Sequence, residues 1–270
     1  MADHGLSEAE LSARFLAMSG IVLELGHLAE KYFADQAALG TTMKGDQDFL
    51  TVADGEVEAL FRRRIAEAFP TDAVMGEEMG GGDSARLWII DPIDGTANFA
   101  RGDRHWCISV GFVAGGVPEL GIIHAPALGE TFLARRGQGA TLNGKPIRVA
   151  ATTNIRQATI EFGWSSRLPN KPYIDAVARL FDAGAHVKRS ASGALGLAHV
   201  AAGRTDAYGE LHINPWDVAA GLVIAGEAGA RVNDFCTGDW LGDGNPILAV
   251  TPALWDQVLE ASGMAPHPSV

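Results

Sequence analysis

Cysteine is scarce in this chain: Cys107 and Cys236 are the only two in 270 residues. That excludes a disulfide framework and a thiolate zinc site. Positive charge is also short, with 21 Lys and Arg against 33 Asp and Glu and a formal net charge of −12. A chain so acidic repels polyanions, so nucleic acid is not an expected partner. No uninterrupted apolar run reaches about 18 residues, so no membrane span is expected. The opening residues, Met1 to Glu10, lack a basic stretch followed by an apolar one, so no secretory leader is expected and the predicted location is cytoplasmic. Repeats and low-complexity segments are missing as well. What the chain does have is 47% hydrophobic residues, enough to bury a substantial core in one large domain or two closely packed ones.

Periodicity sets out the elements. Ser7 and Glu10 have capping-box spacing, and apolar residues then recur at helical intervals from Leu11 to about Phe33. A second helix is predicted from Gly55 to Phe69, stopped by Pro70. Trp88 to Ile90 reads as a buried strand. His105 to Val113 and Leu120 to His124 read as a hairpin around Gly115-Gly116. Thr131 to Ala134 and Ile147 to Ala150 are predicted strands, separated by a loop with Asn143-Gly144. Further on, Thr159 to Phe162 and Asp206 to Glu210 read as strands. Tyr173 to Asp182, Ala194 to Ala202 and Val218 to Glu227 read as helices. A boundary near Ala150–Asn154 divides an N-terminal α+β half, residues 1–150, from a C-terminal α/β half, residues 151–270. The tail from Met264 to Val270 is expected to be mobile.

The richest chemistry lies in Trp88-Ile89-Ile90-Asp91-Pro92-Ile93-Asp94-Gly95-Thr96. A residue before proline is pushed toward extended backbone, which places Asp91 at a strand end. Pro92 lacks an amide donor, and the turn after it leaves the Ile93 carbonyl available as a ligand. Gly95 lets the backbone approach a ligand closely. If Thr96 opens a helix, its amides favour an anion. Two more acidic motifs stand elsewhere: Met75-Gly76-Glu77-Glu78, and Asn214-Pro215-Trp216-Asp217 before an apolar helix. Alone, Asp-Pro is most often a turn, Glu-Glu a solvated pair and Asp217 a helix cap. Together and in this order they point to one cleft. Four converging carboxylates repel unless cations join them, and all-oxygen ligation favours Mg²⁺ or Mn²⁺ over zinc. Bound cations also supply the local positive charge that an acidic chain needs to handle a phosphate.

These three motifs, with a looser match from Lys44 through Asp48, Thr51 and Asp54, resemble the inositol monophosphatase family of metal-dependent, lithium-sensitive phosphatases. The resemblance runs from about Leu6 to Trp255. It implies a layered α/β/α/β/α sandwich and a homodimer. It also implies a Mg²⁺-dependent phosphomonoesterase, with two or three ions, acting on inositol 1-phosphate or a similar small polyol phosphate. On that pattern Glu77, Asp91 and the Ile93 carbonyl hold one metal, while Asp91, Asp94 and Asp217 hold another. A third, weaker ion sits near Glu77. Asp54 and Thr96 orient and deprotonate a metal-bound water, and the Gly95 and Thr96 amides hold the phosphate. Glu78 and Lys44 take supporting roles.

The same resemblance implies that the alcohol is read by Asp94, by Ala191, Ser192 and Gly193, and by Glu210, which lies seven residues before Asp217. Family members usually carry glycine where this chain has Ala191, which puts inositol specificity in question. Ser192 also suits a helix cap, and Asp206 a structural role. His105, His124 and His212 read as packed or surface histidines. No basic cluster suited to a second phosphate stands out. Histidinol-phosphatase is the alternative within the family, and a regulatory binding protein of the same fold is the alternative outside catalysis.

Overall fold

The computed structural model describes residues 6–35, 39–40, 42–45, 48–82 and 84–264. Helix α1 (Glu8–Ala34) opens on the capping box read from the sequence. The Ser7 amide donates to Glu10 Oε2 at 2.8 Å, and the Glu10 amide donates to Ser7 Oγ at 3.3 Å. A short β1 (Thr42–Gly45) and β2 (Asp48–Leu50) pair antiparallel. Helix α2 (Val52–Ala68) starts three residues earlier than its apolar pattern suggests. The reason is local: Asp54 Oδ2 accepts both the Thr51 amide and the Thr51 hydroxyl, at 2.8 and 2.5 Å, and so starts the helix at Val52.

The larger sheet orders β3 (Ala73–Gly76), β4 (Arg86–Asp94), β5 (Cys107–Ala114), β6 (Val117–Ala125), β7 (Glu130–Arg135), β8 (Ala140–Leu142) and β9 (Lys145–Pro146) side by side. Only the β3–β4 pair in it is parallel. The single helical turn α3 (Thr96–Phe99) follows β4. The expected hairpin turns at Gly115 and Gly116, both at positive φ. The strand expected over Ile147 to Ala150 is absent. Asn143-Gly144 instead makes the tight β8–β9 turn, and 147–150 joins no strand ladder, being tied by the Ile147 N–H to the Ala140 carbonyl and the Val149 N–H to the Ala228 carbonyl.

The smaller sheet orders β11 (His186–Lys188), β10 (Thr159–Phe162), β12 (Ala207–Ile213), β14 (Asn245–Val250) and β13 (Arg231–Val232). Helices α4 (Asn170–Asp182) and α8 (Trp255–Ser262) cover its outer face through a core that includes Ile160, Phe162, Leu180 and Val258. Helices α5 (Gly193–Ala201) and α6 (Pro215–Glu227) lie between the two sheets, with α7 (Trp240–Asp243) beyond α6. Helices α1 and α2 cover the other face of the large sheet around Met18, Leu25, Phe61, Trp88 and Phe112. The layers therefore run α/β/α/β/α, as the resemblance implied.

Two packing details bear on the site. By length and composition α1 alone, among the described residues, could cross a membrane. Here it buries Leu11, Met18, Val22 and Leu25 in the core. Helix α6 lies unusually close to the large sheet, because a Cβ on Gly121 would stand 2.3 Å from the Ala220 carbonyl and one on Gly111 2.7 Å from Ala219 Cβ. Glycine at those two strand positions lets the start of α6, which carries Asp217, reach the end of β4.

Candidate active site

The Asp91-to-Thr96 segment is shaped by a bulge rather than by a strand end. Strand β4 continues to Asp94, but its pairing with β5 slips: Asp91 faces Ser109, Asp94 faces Cys107, and two residues, Pro92 and Ile93, oppose Ile108. In a regular strand, residues three apart point to opposite faces. The extra residue brings Asp91 and Asp94 back to one side. Proline tolerates the bulge because it needs no ladder partner. Asp91 Oδ1 accepts the Ile93 amide at 2.9 Å. The Ile93 carbonyl accepts the Thr96 hydroxyl at 2.9 Å and keeps a second lone pair.

The other acids arrive by separate routes. Strand β3 pairs parallel to β4 with Gly76 level with Ile90, and the Glu77 amide donates to the Ile90 carbonyl at 3.2 Å. Glu77 therefore stands beside Asp91. Asp217 occupies the third position of α6, where its Oδ2 accepts the Asn214 amide at 3.2 Å. Asp91, Asp94 and Asp217 each offer an oxygen within 4.8 Å of the others. Asp54 lies at the third position of α2, and its Oδ1 accepts the Thr96 hydroxyl at 3.3 Å.

The helices address this cluster with their positive ends. Helices α2 and α6 carry Asp54 and Asp217 in their first turns, and the first turn of α5 donates its Gly193 and Ala194 amides to Asp94, at 3.2 and 2.7 Å. Such N-termini favour negative charge. They do not suffice here. Burial, then the charges of Glu77, Asp94 and Asp217, push Asp91 well above the usual carboxylate range. Desolvation, then Asp94 and Glu77, does the same to Asp217. Burial raises Asp94 against the opposing bonds from Ser192, Ala194 and Gly193. Asp54 is raised to about 6, chiefly by burial. Such a cluster needs protons or cations, and its hard oxygen donors suit Mg²⁺ or Mn²⁺. The residues fit the metal that the motif chemistry calls for.

Beside the acids lies a cleft of about 200 Å³, lined by Glu77, Asp94, Gly95, Thr96, Ala97, Asp217 and, on the far side, Glu161, Trp164, Arg189, Ala191, Ser192, Gly193, Tyr208 and Glu210. Gly95 stands at φ +98° as the residue before α3. Ser192 does both jobs open to it: its hydroxyl caps α5 by accepting the Leu195 amide at 3.3 Å, and it donates to Asp94 Oδ2 at 2.6 Å. Glu210 Oε2 accepts the Tyr208 hydroxyl at 2.6 Å, and burial lifts Glu210 to about 7. Ala191 adopts φ +62°, one of two non-glycine residues at positive φ among those described. The chain thus keeps the left-handed backbone that glycine would favour.

Several groups were not legible as site residues. Glu161 is buried with its Oε1 accepting the Ser190 amide at 3.2 Å and its Oε2 3.0 Å from Lys188 Nζ, which pins the Ser190-to-Ser192 loop. Asn98 ties α3 to that loop by donating to the carbonyls of His105 and Ser190, at 2.7 and 2.8 Å. The Cys107 thiol lies beneath the acids, 3.7 Å from Asp94 Oδ2, and burial pushes it well up. His212 turns to the Asp243 carbonyl at 2.8 Å, and His124 to Thr131. Asp206 is structural, accepting the Thr159 amide at 2.8 Å. The side chains of Lys44 and Asp48 lie outside the described residues, as does the tail from 265 to 270.

Known proteins resemble this chain in sequence and in fold. The family model described as "Inositol monophosphatase family" matches residues 13–263. A curated relative from Vibrio cholerae, named Nus factor SuhB, is 38% identical over 84% of this chain and 86% of its own length. One from Thermotoga maritima, named fructose-1,6-bisphosphatase/inositol-1-monophosphatase, is 39% identical over 71% of this chain and 73% of its own. Among solved structures, the extragenic suppressor protein suhB of Bartonella henselae superposes with a TM-score of 0.86 at 28% identity, covering 93% of this chain and 98% of that one. The Thermotoga maritima IMPase does so with a TM-score of 0.81 at 32% identity, covering 90% and 94%. A bulged strand bringing two aspartates to one face, a third at the start of α6, and a match over nearly the whole chain lead to one conclusion: the chain belongs to the inositol monophosphatase family.

Proposed function

We propose that the protein is a Mg²⁺-dependent phosphomonoesterase that releases phosphate from inositol 1-phosphate or a similar small polyol phosphate, with water as the nucleophile. The observation that carries this reading is the meeting of Asp91, Asp94 and Asp217, with oxygens within 4.8 Å of one another, at the edge of a cleft. Glu77, Asp91 and the Ile93 carbonyl would hold one ion, and Asp91, Asp94 and Asp217 a second, with Mn²⁺ able to substitute and a third ion near Glu77. When bound, these cations neutralise carboxylates and phosphate and make water acidic enough to supply a nucleophile near neutral pH.

The rest of the chemistry belongs to the chain. Asp54 is the proton acceptor: it is buried, raised to about 6, and bonded to the Thr96 hydroxyl, which orients the water. The Gly95 and Thr96 amides, at the start of α3, hold the phosphate. Asp94, Ser192, Gly193 and Glu210 face the leaving alcohol, and Tyr208 fixes the Glu210 carboxyl. A polyol presents hydroxyls that can donate to Glu210. No side-chain nucleophile is needed, and Cys107, packed beneath Asp94 with its thiol kept protonated, is unsuited to be one. Lithium, competing for a weakly held cation position, inhibits in this reading.

The test is phosphate release from inositol 1-phosphate and histidinol phosphate side by side, with and without Mg²⁺. Preference for inositol 1-phosphate supports the reading, and preference for histidinol phosphate moves the substrate while keeping the chemistry. Trapping of a covalent phosphoenzyme would refute the water mechanism. The relatives named Nus factor favour a second, regulatory binding role beside catalysis. Co-purification of a transcription component with both the wild type and an inactive Asp91→Asn variant would separate that role from turnover.

A further inference from the structure

A buried carboxylate that the proposed chemistry does not use stands behind Glu77. Glu58 lies one helical turn beyond Asp54 on α2 and is fully buried. Its Oε2 accepts the Glu78 amide at 2.9 Å, and its Oε1 accepts the Met79 amide at 3.2 Å. Arg62 donates to Oε1 from Nε and Nη2, at 2.8 and 2.6 Å. The same guanidinium donates to the Val74 carbonyl at 3.2 Å and to the Gly80 carbonyl. Gly76 and Gly80 close the turn on each other by two backbone bonds of 2.9 and 3.1 Å. A Cβ on Gly76 would fall 2.3 Å from Glu58 Oε1, so the carboxylate sits directly against the backbone that enters the turn.

We infer that Glu58, held by Arg62, is a positioning residue that fixes the turn from Gly76 to Gly80 and thereby presents Glu77 to the cation. The inference rests on the proposed reading of Glu77 as a metal ligand. Losing a hydrogen-bond partner that orients a metal ligand typically costs about 10- to 100-fold in metal affinity or activity; Glu58 bonds the turn and does not line the cleft, so its loss should fall on affinity. Glu58→Gln keeps the shape but puts an amide N–H₂ against either a backbone N–H or the guanidinium.

The experiment titrates metal-free protein with Mn²⁺, reading free Mn²⁺ by electron paramagnetic resonance, for the wild type, Glu58→Gln, Arg62→Gln and Glu77→Gln. The metal-free melting temperature of each is measured alongside. Glu58→Gln should bind Mn²⁺ about 10-fold or more weakly. It should need correspondingly more Mg²⁺ for half-maximal phosphate release, with kcat recovered at saturating Mg²⁺. A lowered melting temperature with wild-type Mn²⁺ affinity would mean a merely structural role and overturn the inference. If Glu58→Gln gives no cooperative melt, Arg62→Gln decides: weakened Mn²⁺ binding supports the inference and unchanged binding overturns it. Unchanged binding by Glu77→Gln would instead overturn the metal assignment of Glu77 itself.

Discussion

Burial makes Glu210, in the wall of the cleft, a source of pH-dependent stability, and replacing it by glutamine should show by how much. Its carboxyl is buried beside Tyr208, and burial raises it from the ordinary 4.5 to about 7. Below pH 4.5 the group is protonated in folded and unfolded chain alike, so its full contribution to stability is present. As pH rises through about 7 the unfolded chain has already released the proton while the folded chain must bury the charge, and that stability is lost. The gap of about 2.5 on the pH scale, at about 1.4 kcal/mol each, makes the loss on the order of 3 kcal/mol. In the Glu210→Gln variant the side-chain amide oxygen can still accept the Tyr208 hydroxyl, and there is no charge to bury. In metal-free protein at pH 8.5, Glu210→Gln should melt roughly 6–12 °C above the wild type, and at pH 5 within roughly 2–4 °C of it. Thermal melts in EDTA across that range measure the difference. Parallel pH profiles would refute the reasoning, since they would mean that Glu210 titrates near 4.5 in the fold.

Three further outcomes are expected. Gly76→Ala places a methyl against the Glu58 carboxyl and should lose about 1–3 kcal/mol in urea unfolding, as overpacking does. Ala191→Gly relieves an alanine at φ +62°, worth about 1–2 kcal/mol. It gives back about 0.4–1 kcal/mol in unfolded-chain entropy, so the net change in the same assay should lie between about zero and a gain of about 1.6 kcal/mol. If Asp54 accepts the proton, kcat/KM is present above pH 6 and falls as pH drops through about 6; a profile flat down to pH 5 would remove Asp54 from that role.

The long periodic elements were legible because each buries one face: α1, the β5–β6 hairpin, α5 and α6 appear within a few residues of where the pattern puts them. Starts were less legible where a carboxylate sets them. Asp54 pulls α2 forward to Val52, and the sequence could equally place that aspartate on a solvated face. Short strands such as β3, β11 and β13 carry too few residues for a period. The bulge at Pro92-Ile93 was half legible, since proline announced a break but not that the strand resumes to Asp94. The acids stood out by motif, whereas Glu58, Glu161 and Asn98 did not, because a buried polar side chain is known only by the distant backbone it bonds. Ala191 was seen as a departure from glycine, and the structure adds that the backbone conformation survives it.

The most direct test of the account strips the protein of metal and follows phosphate release from inositol 1-phosphate as Mg²⁺ is added back, for the wild type and for Asp91→Asn. The expected result is no release without Mg²⁺, saturable recovery in the wild type, and no recovery in a variant that still melts cooperatively. Equal release by wild type and variant, or release that ignores Mg²⁺, would contradict a phosphatase built on the Asp91, Asp94 and Asp217 cluster.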